Sequence, residues 1–309
     1  MNMNYKLIAK KTAAEGMVGV RTYLSGAKKG CMEEILPNEC PDESGIRQYH
    51  KESCFEEVIA GVFRLVIFGS GHVARQVCRM GAWLGFETIV YDDRKELLKE
   101  AYFPDAKELI CGDFEHIFET LHPYKNTYYL VMTRSHVFDF SCVRQILKQP
   151  FEYLGMIGSR RKTAELKKQM DKWDAAQGAK DLIHAPVGLS ISARTPEEIA
   201  VSVAAQLIME KNKKSFAQLP GDVLNRLSGG FSGVMAVIIE KEGSAPREIG
   251  CRMLIDRNGT CFGTIGGGKT EYLVIKDAQT AEHMSIREYG MESGDMICGG
   301  RIKVLFERV

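Results

Sequence analysis

Arg64-Leu-Val-Ile-Phe-Gly-Ser-Gly-His-Val-Ala74 decides the fold. An apolar run of strand length, Arg64 to Phe68, leads directly into Gly69-Ser70-Gly71-His72-Val73-Ala74, and a helical pattern follows. This is GxGxxA between a strand and a helix, the setting in which that spacing has a physical purpose. Gly69 allows the tight turn, Gly71 lets backbone approach a phosphate, and Ala74 permits close packing of helix on strand. The free N–H groups of the helix start favour an anion. Asp92 and Asp93 close the next strand, where a ribose-binding acid would stand. Read alone, the motif also fits a tight turn with no ligand.

The pattern repeats outward from this point. Strand-length apolar runs recur at Thr88 to Tyr91, Glu108 to Cys111, Tyr128 to Met132 and Tyr153 to Ile157, with helix-like stretches between several of them. Such alternation predicts right-handed βαβ units and a parallel sheet covered on both faces, a Rossmann-like doubly wound α/β domain over 63–211. Its last helix starts with Thr195 as N-cap, Pro196 at N1, then Glu197 and Glu198. A polar stretch, 212–221, reads as a linker. Residues 222–309 read as a smaller α+β domain, with strands at Val234 to Glu240 and Arg252 to Asp256, a hairpin turn at Asn258-Gly259 and a helix from about Lys269. Residues 1–62 read as an N-terminal segment with short β-like pieces such as Met17 to Leu24.

Composition narrows the function. The 309 residues are 45% hydrophobic and 26% charged, ordinary globular values that argue against a disordered chain. Lys and Arg number 41 against 40 Asp and Glu, so the basic excess of a phosphate-neutralising nucleic-acid binder is missing, and no nucleic acid is expected as partner. Nine cysteines, widely spaced and with no CxxC pair, fit a reducing compartment better than a disulfide framework or structural zinc site. Lysines interrupt the N-terminus before a signal peptide could form, and no apolar run could cross a bilayer. A soluble cytoplasmic protein with no membrane partner is the expectation.

Further motifs carry candidate chemistry. Met132-Thr133-Arg134-Ser135-His136 closes the fourth strand of the predicted sheet. In an order 3-2-1-4-5 the first and fourth strands flank the switch point, so this loop and His72 should face one crevice. Arg134 could pair with an anion and His136 could bind a ligand or move a proton; a solvated helix start capped by Ser135 is the plainer alternative. Gly158-Ser159-Arg160-Arg161-Lys162 places small residues and three cations at another helix start, where cations oppose the dipole unless an anionic partner offsets them. Gly266-Gly267-Gly268-Lys269-Thr270-Glu271 could form a backbone nest for an oxyanion, and lacks P-loop spacing. Cys298, ahead of Gly299 and Gly300, offers a soft thiolate. The turn Gly243 to Arg247 carries a cation and by itself says little.

Taken together these stretches resemble the XdhC/CoxI family, the xanthine dehydrogenase accessory proteins. IFGSGHVA (67–74), VMTRSHVFD (131–139), YLGMIGSRRK (153–162) and ARTPEEIAVSVAAQL (193–207) resemble its Rossmann domain; GSAPREIGCRMLI (243–255), GTIGGGKTE (263–271) and CGG (298–300) resemble its CoxI-type domain. The resemblance implies a chaperone rather than a metabolic catalyst. Such a protein would bind the molybdenum cofactor (molybdopterin) as cargo, assist its sulfuration by a cysteine desulfurase, and insert it into a molybdenum hydroxylase apoenzyme of the xanthine dehydrogenase type. It implies cofactor-binding roles for Gly69, Gly71, His72, Asp92, Arg134, His136, Gly158, Ser159, Arg160, Ser244, Arg247, Gly266, Gly267, Gly268, Glu271 and Gly299, with Cys298 as thiol candidate and molybdenum contact, and a cofactor lying between the two domains. Two departures stand out. Family members place the CoxI-type domain first, whereas here the order is reversed, which invites exchange between chains and a homodimer. Lys269 stands where relatives often carry Cys or His. Two other classes fit GxGxxA and Asp92: an NAD(P)-dependent oxidoreductase and a nucleotide-sensing module without chemistry.

Overall fold

The computed structural model describes residues 2–173, 182–213, 216–245, 247–290 and 300–309. The chain divides into two units: residues 63–213 form one, and residues 1–62 together with 214–309 form the other.

The two-part unit opens with β1 (Asn2–Met3), α1 (Tyr5–Glu15), β2 (Met17–Tyr23), β3 (Met32–Ile35), β4 (Gly45–Tyr49) and β5 (Glu52–Ala60). Asn4 caps α1 by accepting from the Leu7 N–H at 2.8 Å, and Gly16, at φ 86°, ends it. The strands pair antiparallel, β1 on β3, β3 on β2, and β2 and β4 on β5.

The second unit follows: β6 (Arg64–Phe68), α2 (His72–Trp83), β7 (Glu87–Asp92), β8 (Glu108–Cys111), α3 (Ile117–Thr120), β9 (Thr127–Val131), α4 (His136–Ile146), β10 (Tyr153–Met156), α5 (Arg160–Lys172), β11 (Ile183–His184) and α6 (Pro196–Lys211). The sheet is parallel, in the order β11-β10-β9-β6-β7-β8. This is the predicted doubly wound order extended by β11, two residues too short to register as a periodic run. Alternate side chains serve opposite faces. Val66, Phe68, Tyr129, Val131, Leu154 and Met156 pack with Cys142, Val143 and Ile146 of α4 and Leu166 and Met170 of α5. On the other face α2 packs against α6. Thr195 and Glu198 close a capping box at the start of α6.

The first unit then resumes with β12 (Ala217–Gln218), α7 (Gly221–Ser228), β13 (Val234–Glu242), β14 (Arg252–Ile255), β15 (Cys261–Gly263), α8 (Gly268–Ala278), β16 (Ser285–Gly290) and β17 (Arg301–Arg308). Two expected boundaries change here. The stretch 212–221 is more than a linker, because β12 lies parallel on β5 and adds a strand to the N-terminal sheet. Residues 1–62 are no separate region either. Val18, Val20, Phe55 and Ile59 share one core with Met235, Val237, Leu254 and Leu305. Neither sheet could keep these apolar faces in water, so each covers the other. The C-terminal sheet runs β15-β14-β13-β17-β16, all antiparallel, and the predicted hairpin joins β14 to β15. There Asp256 Oδ1 accepts from the N–H groups of Asn258 and Thr260 at 2.8 Å each.

Candidate functional site

Parallel strands release their chains at one edge of the sheet, so the loops after β10, β9, β6 and β7 stand side by side there. Gly69, after β6, has φ +113°, and a Cβ on it would lie 2.3 Å from the carbonyl oxygen of Met132. The position is closed to any other residue twice over, by backbone conformation and by contact. Gly71 is the N-cap of α2, and a Cβ there would meet nothing within 4 Å. No side chain caps this helix start, and His72 beside it is exposed.

Asp92 is buried, and its neighbours use its carboxylate fully. The N–H and Oγ of Ser70 each donate to Oδ2 at 2.8 Å. The Arg94 N–H donates to Oδ1 at 3.0 Å, and its guanidinium donates to both oxygens at 2.9 Å. Burial opposes ionisation, yet the Arg94 guanidinium and the Ser70 hydrogen bonds outweigh it and hold this carboxyl down at about 2. The acid expected to reach a ribose thus braces the glycine loop.

The loop after β9 is braced in the same way. Asp139, fully buried in α4, accepts from the Thr133 N–H at 3.0 Å and its hydroxyl at 2.8 Å. Its other oxygen pairs with Lys162 of α5, whose ammonium also donates to the Ile157 carbonyl at 2.9 Å. Lys162 therefore ties the loop after β10 to the loop after β9. Ser135 caps α4 and Ser159 caps α5. Arg134 is engaged bidentately by Asp93, one bond measuring 2.7 Å. His136, Ser159, Arg160 and Arg161 are exposed and Gly158 is half-buried. Among the described residues neither Arg160 nor Arg161 has an ion-pair partner. The edge thus presents an open helix start, two histidines and two guanidiniums free to meet an anion.

In the other unit the expected residues also share one sheet edge. β13 ends, β14 begins, β15 ends and β17 begins there, through the pairs Val237–Arg252, Met253–Gly263 and Glu242–Arg301. Ser244 and Arg247 are exposed in the turn after β13. Gly300 lies against that turn, since a Cβ on it would sit 2.2 Å from the Ser244 carbonyl oxygen. Gly266, Gly267 and Gly268 all have positive φ, 129°, 76° and 66°. Their nest already holds an anion. Glu271 Oε2 accepts from the Thr264 hydroxyl at 2.5 Å, the Ile265 N–H at 3.2 Å and the Gly267 N–H at 3.1 Å. Burial raises its pKa, but these donors prevail and lower it. Glu271 therefore shapes the loop from inside, and Lys269 points to an exposed position. Cys298 and Gly299 lie outside the described residues. Among the described residues no group of three or more His, Cys, Asp or Glu could hold a metal ion.

Reading by motif passed over the parts played by Ser70, Arg94 and Asp139, and it counted Lys162 among three cations open to an anion, whereas Lys162 is paired with Asp139 and helps to hold the motifs in shape. Their signal was present only as polar residues flanking the ends of apolar strands. It also passed over a buried group in the two-part unit: Arg252 pairs with Glu57, and the Tyr5 hydroxyl donates to Glu307.

Two family models match this chain. The XdhC Rossmann domain matches residues 65–207, and the XdhC and CoxI family matches 227–290; together they take in more than half of the chain. Over 191 residues the chain is 32% identical to the uncharacterized protein YqeB of Escherichia coli (strain K12), covering 62% of this chain and 34% of that protein. It is 29% identical over 150 residues to a probable xanthine dehydrogenase subunit from Bacillus subtilis (strain 168), covering 48% and 43%. The chain thus spans about a third of one of these relatives and less than half of the other. A crystal structure of a xanthine dehydrogenase from Bacillus halodurans is similar with a TM-score of 0.54 and 27% identity, covering 67% of this chain and 66% of that one. Among the described residues no helix is long and apolar enough to cross a membrane.

Proposed function

Because the chain belongs to the XdhC and CoxI family, we propose that it is an accessory protein for a molybdenum hydroxylase of the xanthine dehydrogenase type. In this reading it binds the molybdenum cofactor as cargo, assists its sulfuration with a cysteine desulfurase, and hands it to the hydroxylase apoenzyme in the cytoplasm. A homodimer is the working form.

One observation carries the reading. The loops after β6, β9 and β10 share an edge that offers anion donors, namely the uncapped start of α2 at Gly71, His72, His136, and the free guanidiniums of Arg160 and Arg161. Molybdopterin carries a phosphate and an oxo-metal head, and such an edge suits both kinds of oxygen. Gly69 and Ser70 fix the turn, Ser159 positions α5 beneath Arg160, and Lys162 with Asp139 keeps the loops after β9 and β10 in step. In the other unit the turn at Ser244 and Arg247, and the helix start that follows Gly267, present further donors. Glu271 shapes that loop, and Cys298 is assigned the thiol role toward sulfur or molybdenum.

A nucleotide in the same crevice is the second reading. The complete engagement of Asp92 by Ser70 and Arg94 favours the cargo over it, because a ribose would find no free acceptor there.

Deleting the gene tests the proposal. The expected result is loss of molybdenum hydroxylase activity while the cell's total molybdopterin is unchanged, restored by the wild-type gene and not by Cys298→Ser. Full hydroxylase activity in the deletion strain overturns the reading. Retention of molybdenum and pterin fluorescence by the purified protein is the direct check of cargo binding.

A further inference from the structure

The ion pair between Arg134 and Asp93 crosses the glycine loop. Asp93 follows β7 and Arg134 follows β9, and β6 lies hydrogen-bonded between those two strands. Gly69 is held from both sides: its N–H donates to the Tyr91 carbonyl at 2.8 Å, and its α-carbon faces the Met132 carbonyl. A side-chain bridge from the end of β7 to the end of β9 therefore spans the turn that leads into α2.

We propose that this bridge is an internal strap, and that Arg134 releases Asp93 when a phosphate-bearing ligand enters. The proposal rests on reading this edge as an anion site. The strap sets specificity, because a ligand must outcompete a carboxylate already in place. A singly charged carboxylate ligand offers Arg134 only what Asp93 offers. A phosphate brings more charge and more acceptor oxygens for the same guanidinium fork, so phosphate gains where carboxylate does not.

Three features fit a contact made to be exchanged. The side chains are 40% and 27% exposed, so water and a ligand can reach the pair and solvent screens it. Phe138 lies under the guanidinium of Arg134, ring centre to carbon 4.8 Å, and keeps it placed over the edge when Asp93 lets go. Arg94 Nε stands 3.9 Å from Asp93 Oδ1, so the released carboxylate retains a cation.

Isothermal titration of the whole chain tests the strap, with inorganic phosphate, ADP and a pterin phosphate monoester as probes and acetate as the singly charged carboxylate control. Asp93→Asn removes the internal competitor and is expected to tighten every phosphate probe by about tenfold, whereas Arg134→Gln weakens each by a similar factor and Arg134→Lys falls between. Acetate is expected to gain measurable binding only in Asp93→Asn. The two phosphate esters separate a pterin source from a nucleotide source of the same chemistry. Unchanged or weaker phosphate binding by Asp93→Asn overturns the strap, and if Arg134→Gln still loses affinity the anion site itself stands. Absence of binding by every probe to wild type and variants overturns both. Asp93→Ser serves in place of Asp93→Asn should the latter not fold, with the same expectation.

Discussion

Gly69 and Met132 approach so closely that a Cβ on the first would stand 2.3 Å from the carbonyl oxygen of the second. This contact sets how near β9 comes to the start of α2, and hence the width of the edge where the candidate site lies. Gly69→Ala adds that clash to a φ of +113°. It is expected to cost this unit roughly 2–4 kcal/mol. Both tryptophans, Trp83 and Trp173, belong to the unit of residues 63–213, so their fluorescence during urea unfolding reports on it. A loss below about 1 kcal/mol would mean that β9 retreats without difficulty.

Lys162 and Asp139 make a pair whose members fail unequally. Lys162→Met strands a buried carboxylate and is expected to cost about 3–5 kcal/mol. The double variant Lys162→Met, Asp139→Leu is expected to recover part of this loss, though the Thr133 N–H and hydroxyl then lose their acceptor. The same tryptophan signal measures both, and equal losses in single and double variants would contradict the pairing.

Asp92 makes the same unit sensitive to acid. Its folded pKa, about 2, lies below the ordinary value of 3.8. Its stabilisation is therefore complete above pH 4 and is lost as pH falls through about 2. Asp92→Asn is expected to be clearly less stable than wild type at pH 6, with the gap closing toward pH 2. A gap that stays constant over this range would refute the assignment.

Glu307 acts in the opposite direction in the two-part unit. Burial raises its pKa to about 7, and Glu57 adds to the rise against the pull of the Tyr5 hydroxyl and Arg252. A raised folded pKa gives stability that is complete below the unfolded value of 4.5 and lost as pH climbs through about 7. Amide exchange in β17 should therefore quicken between pH 5 and 8 beyond the intrinsic rate. Glu307→Gln, which can still accept from Tyr5, is expected to abolish that extra acceleration and to be the more stable protein at pH 8. A wild-type profile matching the variant would refute it.

Glu271 is the internal anion of the triple-glycine loop. Glu271→Ala strips the acceptor from the Ile265 and Gly267 N–H groups and from the Thr264 hydroxyl. These two amides are expected to exchange at least tenfold faster, matching a local loss of about 1–3 kcal/mol. Unchanged exchange would show that the loop keeps its shape without the carboxylate.

Much of this architecture was written locally. RLVIF, GSGHVA and the strand-helix alternation to Lys211 carry period and turn chemistry within each short stretch, so the parallel order followed from the handedness of βαβ units. The candidate residues at the ends of β6, β9 and β10 were legible for the same reason. What they bond to was not. Asp92 reads as a free ribose ligand because nothing nearby announces that Ser70 and Arg94 occupy it, and Glu271 reads as one more cofactor-binding residue although its carboxylate is taken up by the loop's own N–H groups.

The sequence by itself determined the Rossmann unit and the family, because turns, caps and periodicity act over a few residues at a time. Only the tertiary structure decided that residues 1–62 belong with 214–309. The contacts that join them lie far apart along the chain: Tyr5 meets Glu307, Glu57 meets Arg252, and Ile59 pairs with Ala217. Each apolar face there is half of a core whose other half is encoded some 150 to 300 residues away, and burial of nonpolar surface rewards proximity in space without regard to separation in sequence.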